Sequence, residues 1–173
     1  MRKWVLVFTL ILVGCGTTTT LNIPTGKKIN IVGRIKVEIP QKKVSVAPEL
    51  DANILAKMKT GLESELEKRC FKIARGGKGR YVLKTSILTY KPGSALKRWI
   101  MPGWGATILR AKSIIAQGAD GKTIAEIDFD GNVSGGGLYT MGAKDYIADW
   151  FSEELAKKLR ETVGGSSDCA TAS

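Results

Sequence analysis

The richest chemistry in the sequence lies between Pro92 and Gly105, which reads Pro-Gly-Ser-Ala-Leu-Lys-Arg-Trp-Ile-Met-Pro-Gly-Trp-Gly. Lys97 and Arg98 adjoin Trp99, Ile100 and Met101, and Trp104 follows. Aromatic side chains and arginine are enriched where a binding surface concentrates its affinity. Tryptophan is also favoured where a membrane meets water. Lys97, Arg98, Trp99, Ile100, Met101 and Trp104 are therefore candidate partner-binding residues, suited to gripping a protein or dipping into a bilayer. The bland alternative is that the tryptophans fold back and cap the core. Either way the chemistry is recognition. The chain has no histidine, the commonest general acid–base and metal ligand. Its serines therefore lack a histidine base, and pairs such as Asp128 with Asp130, or Glu153 with Glu154, read as solvent-facing charge. No enzyme activity, cofactor or metal is expected.

Cys15 carries the second chemistry. Met1-Arg2-Lys3 is a short basic start, and an apolar run from Trp4 leads to Leu12-Val13-Gly14-Cys15. A helix needs about 20 apolar residues to cross a bilayer, so the run has the length of a signal peptide instead. Leu-Val-Gly-Cys matches the bacterial lipobox. There the small residues fit a narrow peptidase pocket, and the cysteine thiolate takes a diacylglyceryl group before cleavage. Residues 1–14 are thus expected to be a signal, with lipidation at Cys15. Several acyl chains anchor stably where one is marginal. Gly16, in place of an aspartate, favours the outer membrane facing the periplasm. Polar, repetitive residues from Thr17, broken by Pro24 and Gly26, make 15–28 read as a lipidated tether.

Charge supplies a third candidate. The formal charge is +11, and losing Arg2 and Lys3 with the signal leaves the chain strongly basic. No acidic residue occurs between Glu67 and Asp120. Arg69, Lys72, Arg75, Lys78 and Arg80 open that stretch and are candidate anion-binding residues. Nucleic acid is not expected for an exported chain. Anionic lipid or glycan is the nearer partner, and a solvated basic face is the alternative.

Two remaining patterns carry less. Gly131, Gly135, Gly136, Gly137 and Gly142 surround Leu138, Tyr139 and Met141, and they permit unusual backbone geometry without the spacing of a nucleotide loop. Gly76-Gly77-Lys78-Gly79 likewise lacks phosphate-loop spacing. Beyond Cys15, Cys70 and Cys169 allow either a disulfide tying the tail to the domain or two free thiols. No zinc-type spacing exists.

Hydrophobic periodicity indicates the elements that hold these residues. Ile29, Ile31, Ile35, Val37 and Ile39 alternate as in a strand, with Gly33 as a possible bulge. Ile54, Leu55, Met58, Leu62 and Leu66 recur at helical spacing within 49–69. Strands are expected near 71–73, 81–90, 106–117 and 123–133, with Asp120-Gly121 as a hairpin turn. A helix over 145–162 buries Ile147, Trp150, Phe151, Leu155 and Leu159. Residues 29–163 thus read as a single α+β domain: a mostly antiparallel four- to five-stranded sheet with two helices on one face. Residues 164–173 read as a flexible tail.

Gly93-Ser94 with Arg98-Trp99, Gly103 and Gly105, Asp120-Gly121-Lys122-Thr123-Ile124, Gly135-Gly136-Gly137 and the closing helix together resemble the bacterial lipoprotein family called domain of unknown function 4410. That resemblance covers about two thirds of the mature chain and implies an exported α/β domain without an established activity. The expected function is a membrane-anchored, non-enzymatic binding or assembly module for an envelope protein complex. The competing expectation is a binder of anionic lipid or glycan surfaces.

Overall fold

The computed structural model describes residues 16–22, 29–40, 50–100, 105–118, 121–133 and 143–164. Their elements run β1 (Gly16–Asn22), β2 (Ile29–Asn30), β3 (Arg34–Glu38), α1 (Ala52–Lys68), β4 (Lys72–Ile73) and β5 (Tyr81–Lys91). There follow α2 (Ala95–Ile100), β6 (Thr107–Gln117), β7 (Lys122–Val133), α3 (Ala143–Thr162) and β8 (Val163–Gly164). Six strands form one sheet in the order β1-β7-β6-β5-β3-β4, and β2 with β8 forms a small second sheet. β3 runs parallel to β4 and β5, while the other pairs of the large sheet are antiparallel. The fold is the expected α+β arrangement, with α1 and α3 over one face.

Alternation explains which face is covered. Ile35, Val37 and Ile39 of the first run, Tyr81, Leu83, Thr85 and Ile87 of β5, and Leu109, Ala111, Ser113 and Ile115 of β6 are all buried. So are Ala125, Ile127, Phe129 and Val133 of β7. In β5 the buried series jumps from Ile87 to Tyr90 because the register shifts between Ile87 and Thr89, as a bulge requires. Against these residues lie Leu55, Met58, Leu62 and Leu66 of α1 and Ile147, Phe151, Leu155 and Leu159 of α3. Phe129 and Phe151 meet edge to face with centroids 5.2 Å apart. Two hydroxyls pair at this depth: Thr85 Oγ1 and Ser113 Oγ lie 2.9 Å apart across β5 and β6.

Local rules end and orient the helices. Asp51 Oδ1 accepts from Ile54 N at 2.9 Å and caps α1, as a short carboxylate at that position should. At the other end Cys70 takes φ +69. Phe71 N then donates to Leu66 O at 3.0 Å, and Cys70 N to Glu67 O at 2.9 Å. This is a Schellman closure, with the buried pair Leu66 and Phe71 as its apolar contact. Lys57 Nζ reaches across to Asp145 Oδ1 at 3.1 Å and Asp149 Oδ2 at 3.0 Å, joining α1 to the first turns of α3.

Three expectations change. Residues 16–22, expected within a tether, form an edge strand: Gly16 to Asn22 pairs residue by residue with Asn132 to Glu126, which raises the large sheet to six strands. The run over 29–39 is two strands, because Gly33 takes φ +133. A side chain there would also meet Arg80, whose Cδ lies 3.0 Å from the position of a Cβ. Finally, the stretch between β5 and β6 holds a helix, α2.

Candidate functional site

The sheet register assigns the candidate residues to two opposite ends of the domain. At the first end Gly16 pairs with Asn132, Asn132 with Ile108, and Ile108 with Lys91. The beginning of β1, the end of β7, the beginning of β6 and the end of β5 therefore lie in one row. α2 projects from this row. Gly93 N donates to Thr107 Oγ1 at 3.0 Å and Ser94 N to Gly105 O at 2.9 Å, so the base of the connection is closed. Ser94 Oγ accepts from Lys97 N at 3.3 Å, the pattern of a helix N-cap. Gly105, at φ +74, passes so close that a Cβ on it would lie 2.8 Å from Lys97 Cβ.

Four of the six predicted binding residues, Lys97, Arg98, Trp99 and Ile100, fall on α2. Lys97 is exposed. Ile100 is 61% exposed, and Leu96, one helical turn earlier, is 67% exposed. Residues four apart share one side of a helix, so Leu96 and Ile100 make a small apolar ridge in water. The sequence reading missed Leu96. The signal was its spacing from Ile100, which goes unused when the segment is read as a loop. Met101 and Trp104 lie outside the described residues, as does Cys15.

Arg69, Lys72, Arg75, Lys78 and Arg80 gather at the other end, around the close of α1 and the start of β5. β5 has 11 residues, so at about 3.3 Å per residue roughly 35 Å separates the two ends. The basic group is partly neutralised. Arg69 pairs with Glu65 and Arg75 with Glu67. Lys68 Nζ lies 2.6 Å from Glu65 as well, and hydrogen bonds from Lys68 and then Arg69 hold the Glu65 carboxyl below its ordinary value. Lys72 and Lys78 are exposed. Cys70, between these residues, is disulfide-bonded, while Cys169 lies outside the described residues.

Between the ends, the uncovered face of the sheet carries two cross-strand ion pairs between β6 and β7. Arg110 Nε sits 2.8 Å from Asp130 Oδ2, and Lys112 Nζ 2.7 Å from Glu126 Oε2. The hydrogen bond and charge of Glu126 raise the Lys112 ammonium above its ordinary value. On this face β6 thus supplies the bases and β7 the acids of both pairs. Of the glycine-rich stretch, Gly131 belongs to β7, where a Cβ would lie 2.6 Å from Phe129 Cε1. Residues 134–142 lie outside the described residues. Among the described residues no helix is long and apolar enough to cross a membrane.

These features define a class: an α+β domain with two long helices over one face of a mixed sheet, and an edge strand at its amino end. The same fold occurs in PelC dodecamers from Paraburkholderia phytofirmans in two crystal forms, at TM-scores of 0.54 and 0.57 with 12% and 11% identity. Each alignment covers 86% of this chain and 99% of the PelC chain. A candidate lipoprotein from Caulobacter crescentus CB15 is a looser match, at TM-score 0.42 and 12% identity over 73% of this chain and 85% of its own. At such identities the likeness is one of fold. No family model and no curated protein sequence matches the chain, so the resemblance to domain of unknown function 4410 rests on the short motifs quoted above.

Proposed function

We propose that this chain is a lipid-anchored, non-enzymatic binding and assembly module of a bacterial cell envelope. In this reading it is cut before Cys15, held by lipid there, and faces the periplasm from the outer membrane. One observation carries the reading: the lipobox cysteine is bonded to Gly16, and Gly16 is already paired into the sheet. An anchor so joined gives the domain a fixed height and orientation, which suits a part that must meet other parts at a membrane. The absence of histidine from the sequence and the resemblance to domain of unknown function 4410 lipoproteins support the same reading. PelC crystallises as a dodecamer, so the envelope protein partner proposed here includes further copies of the chain itself.

The test is crosslinking in intact envelopes, followed by recovery of the lipidated chain and native mass measurement. One enriched protein, or a defined multiple of the chain, is the expected result. Recovery of lipid or glycan alone would defeat the assembly reading.

The basic end favours a second reading. Exposed Lys72 and Lys78, with Arg80 nearby, lie about 35 Å from the anchor end by strand length. They would face away from the anchoring bilayer and suit an anionic glycan or acidic polymer. Such binding should weaken steeply with salt.

A further inference from the structure

The anchor and the apolar ridge of α2 share one end of the sheet. Cys15 is bonded to Gly16, and Gly16, Asn132, Ile108 and Lys91 form a single row across β1, β7, β6 and β5. Three strand spacings of about 4.8 Å separate β1 from β5, or about 14 Å. No spacer residue intervenes between Cys15 and β1, so acyl chains on Cys15 would draw this whole row down to the bilayer surface. Leu96 and Ile100 then stand on the membrane side of the domain with more than half of their surface in water. Lys97 and Lys91, both exposed, belong to the same end.

Resting on the Cys15 anchoring proposed above, we infer that α2 is a second membrane contact. Leu96 and Ile100 enter the boundary between headgroups and acyl chains, and Lys97 and Lys91 lie among the headgroup phosphates. Two aliphatic side chains are too small a surface to bind a bilayer alone. The lipid anchor makes their insertion intramolecular, at an effective concentration on the order of millimolar, so a weak contact suffices. Amphipathic helices lie in this layer in the same way, with apolar residues inward and lysine or arginine toward the phosphates. The domain thus stands upright, strands along the membrane normal, with Lys72 and Lys78 turned away.

The experiment uses the full lipidated chain in vesicles of phosphatidylethanolamine and phosphatidylglycerol. A water-soluble amine-acylating reagent labels the exposed lysines, and mass spectrometry reads each site against the unlipidated Cys15→Ser chain in solution. Lys97 should react at least about fivefold more slowly on vesicles, as expected for an amine moved into the headgroup layer, while Lys72 and Lys78 react as before. A lipidated Leu96→Asp/Ile100→Asp variant should regain Lys97 reactivity, with unchanged Lys72 and Lys78 labelling as the control for folding. Equal Lys97 reactivity on and off vesicles overturns the inference and leaves the anchor intact. So does protection of Lys97 in native envelopes but not in pure vesicles, which would assign α2 to a protein. Equal protection of Lys72 and Lys97 overturns the upright orientation. An intact mass without acyl chains on Cys15 would instead remove the anchoring on which the inference rests.

Discussion

Gly61 and Ser152 meet where the two long helices pack: a Cβ on Gly61 would lie 2.9 Å from Ser152 Oγ. The hydroxyl is shared between Ala148 O at 2.9 Å and Met58 O at 3.2 Å, so it ties α3 to the backbone of α1. The helices approach closely because one side offers no side chain and the other a small, satisfied one.

Gly61→Ala should therefore destabilise the domain despite its better helix propensity. Propensity alone would gain about 1 kcal/mol, while forcing Ser152 aside or the helices apart costs about 1–3 kcal/mol. A net loss of about 1 kcal/mol should lower Tm by about 2–4 °C. Adding Ser152→Ala should recover much of it by removing the obstructing oxygen. A Gly61→Ala variant that melts no lower than the parent would refute this account of the packing.

Acid stability should depend on Glu65. Hydrogen bonds from Lys68 and Arg69 lower its carboxyl from 4.5 in the folded state, and its side chain is only 19% exposed. A carboxyl depressed by folding contributes stability that is present above its unfolded value and lost as pH falls through the lower folded one. Glu65→Gln should flatten the stability profile below about pH 4.5, and near neutrality it should cost about 1 kcal/mol or less, as for other ion pairs near a surface. Denaturant unfolding of both proteins across the acid range measures this. Parallel profiles would show that Glu65 carries no such linkage.

The disulfide at Cys70 should join Cys169. Gly16 and Cys70 lie at opposite ends of the domain, so Cys15 is badly placed to be the partner. Non-reducing peptide mapping should recover the Cys70 and Cys169 peptides as one species. Cys70→Ser should cost about 2–4 kcal/mol and free one thiol. A Cys70 peptide that migrates alone without reductant would contradict the pairing.

Within the basic end the residues should not be equivalent. Arg69 and Arg75 already face Glu65 and Glu67, whereas Lys72 and Lys78 are exposed. Lys72→Ala/Lys78→Ala should weaken binding to an anionic polymer such as heparin more than Arg69→Ala/Arg75→Ala does, and should reduce the salt dependence of what remains. Titrations at two ionic strengths decide it. Equal losses in the two variants would mean that the ion pairs open freely.

Local pattern along the chain sets part of the fold. Alternation at Ile35, Val37 and Ile39 and the helical spacing from Ile54 to Leu66 follow from the requirement to bury one face of each element, and both appear in the core. The remaining elements depend on partners distant in the chain. Thr17 to Thr20 carries no apolar alternation, and the segment is a strand because the edge of β7 offers it a ladder of partners. α2 has six residues, too few to hold together in isolation. It depends on the closures from Gly93 to Thr107 and from Ser94 to Gly105. No local pattern could reveal that Gly16 and Lys91, far apart in the chain, lie in one row while Arg69 and Arg80 lie at the far end. That follows from strand direction and register, which the sheet fixes only when all its strands are paired.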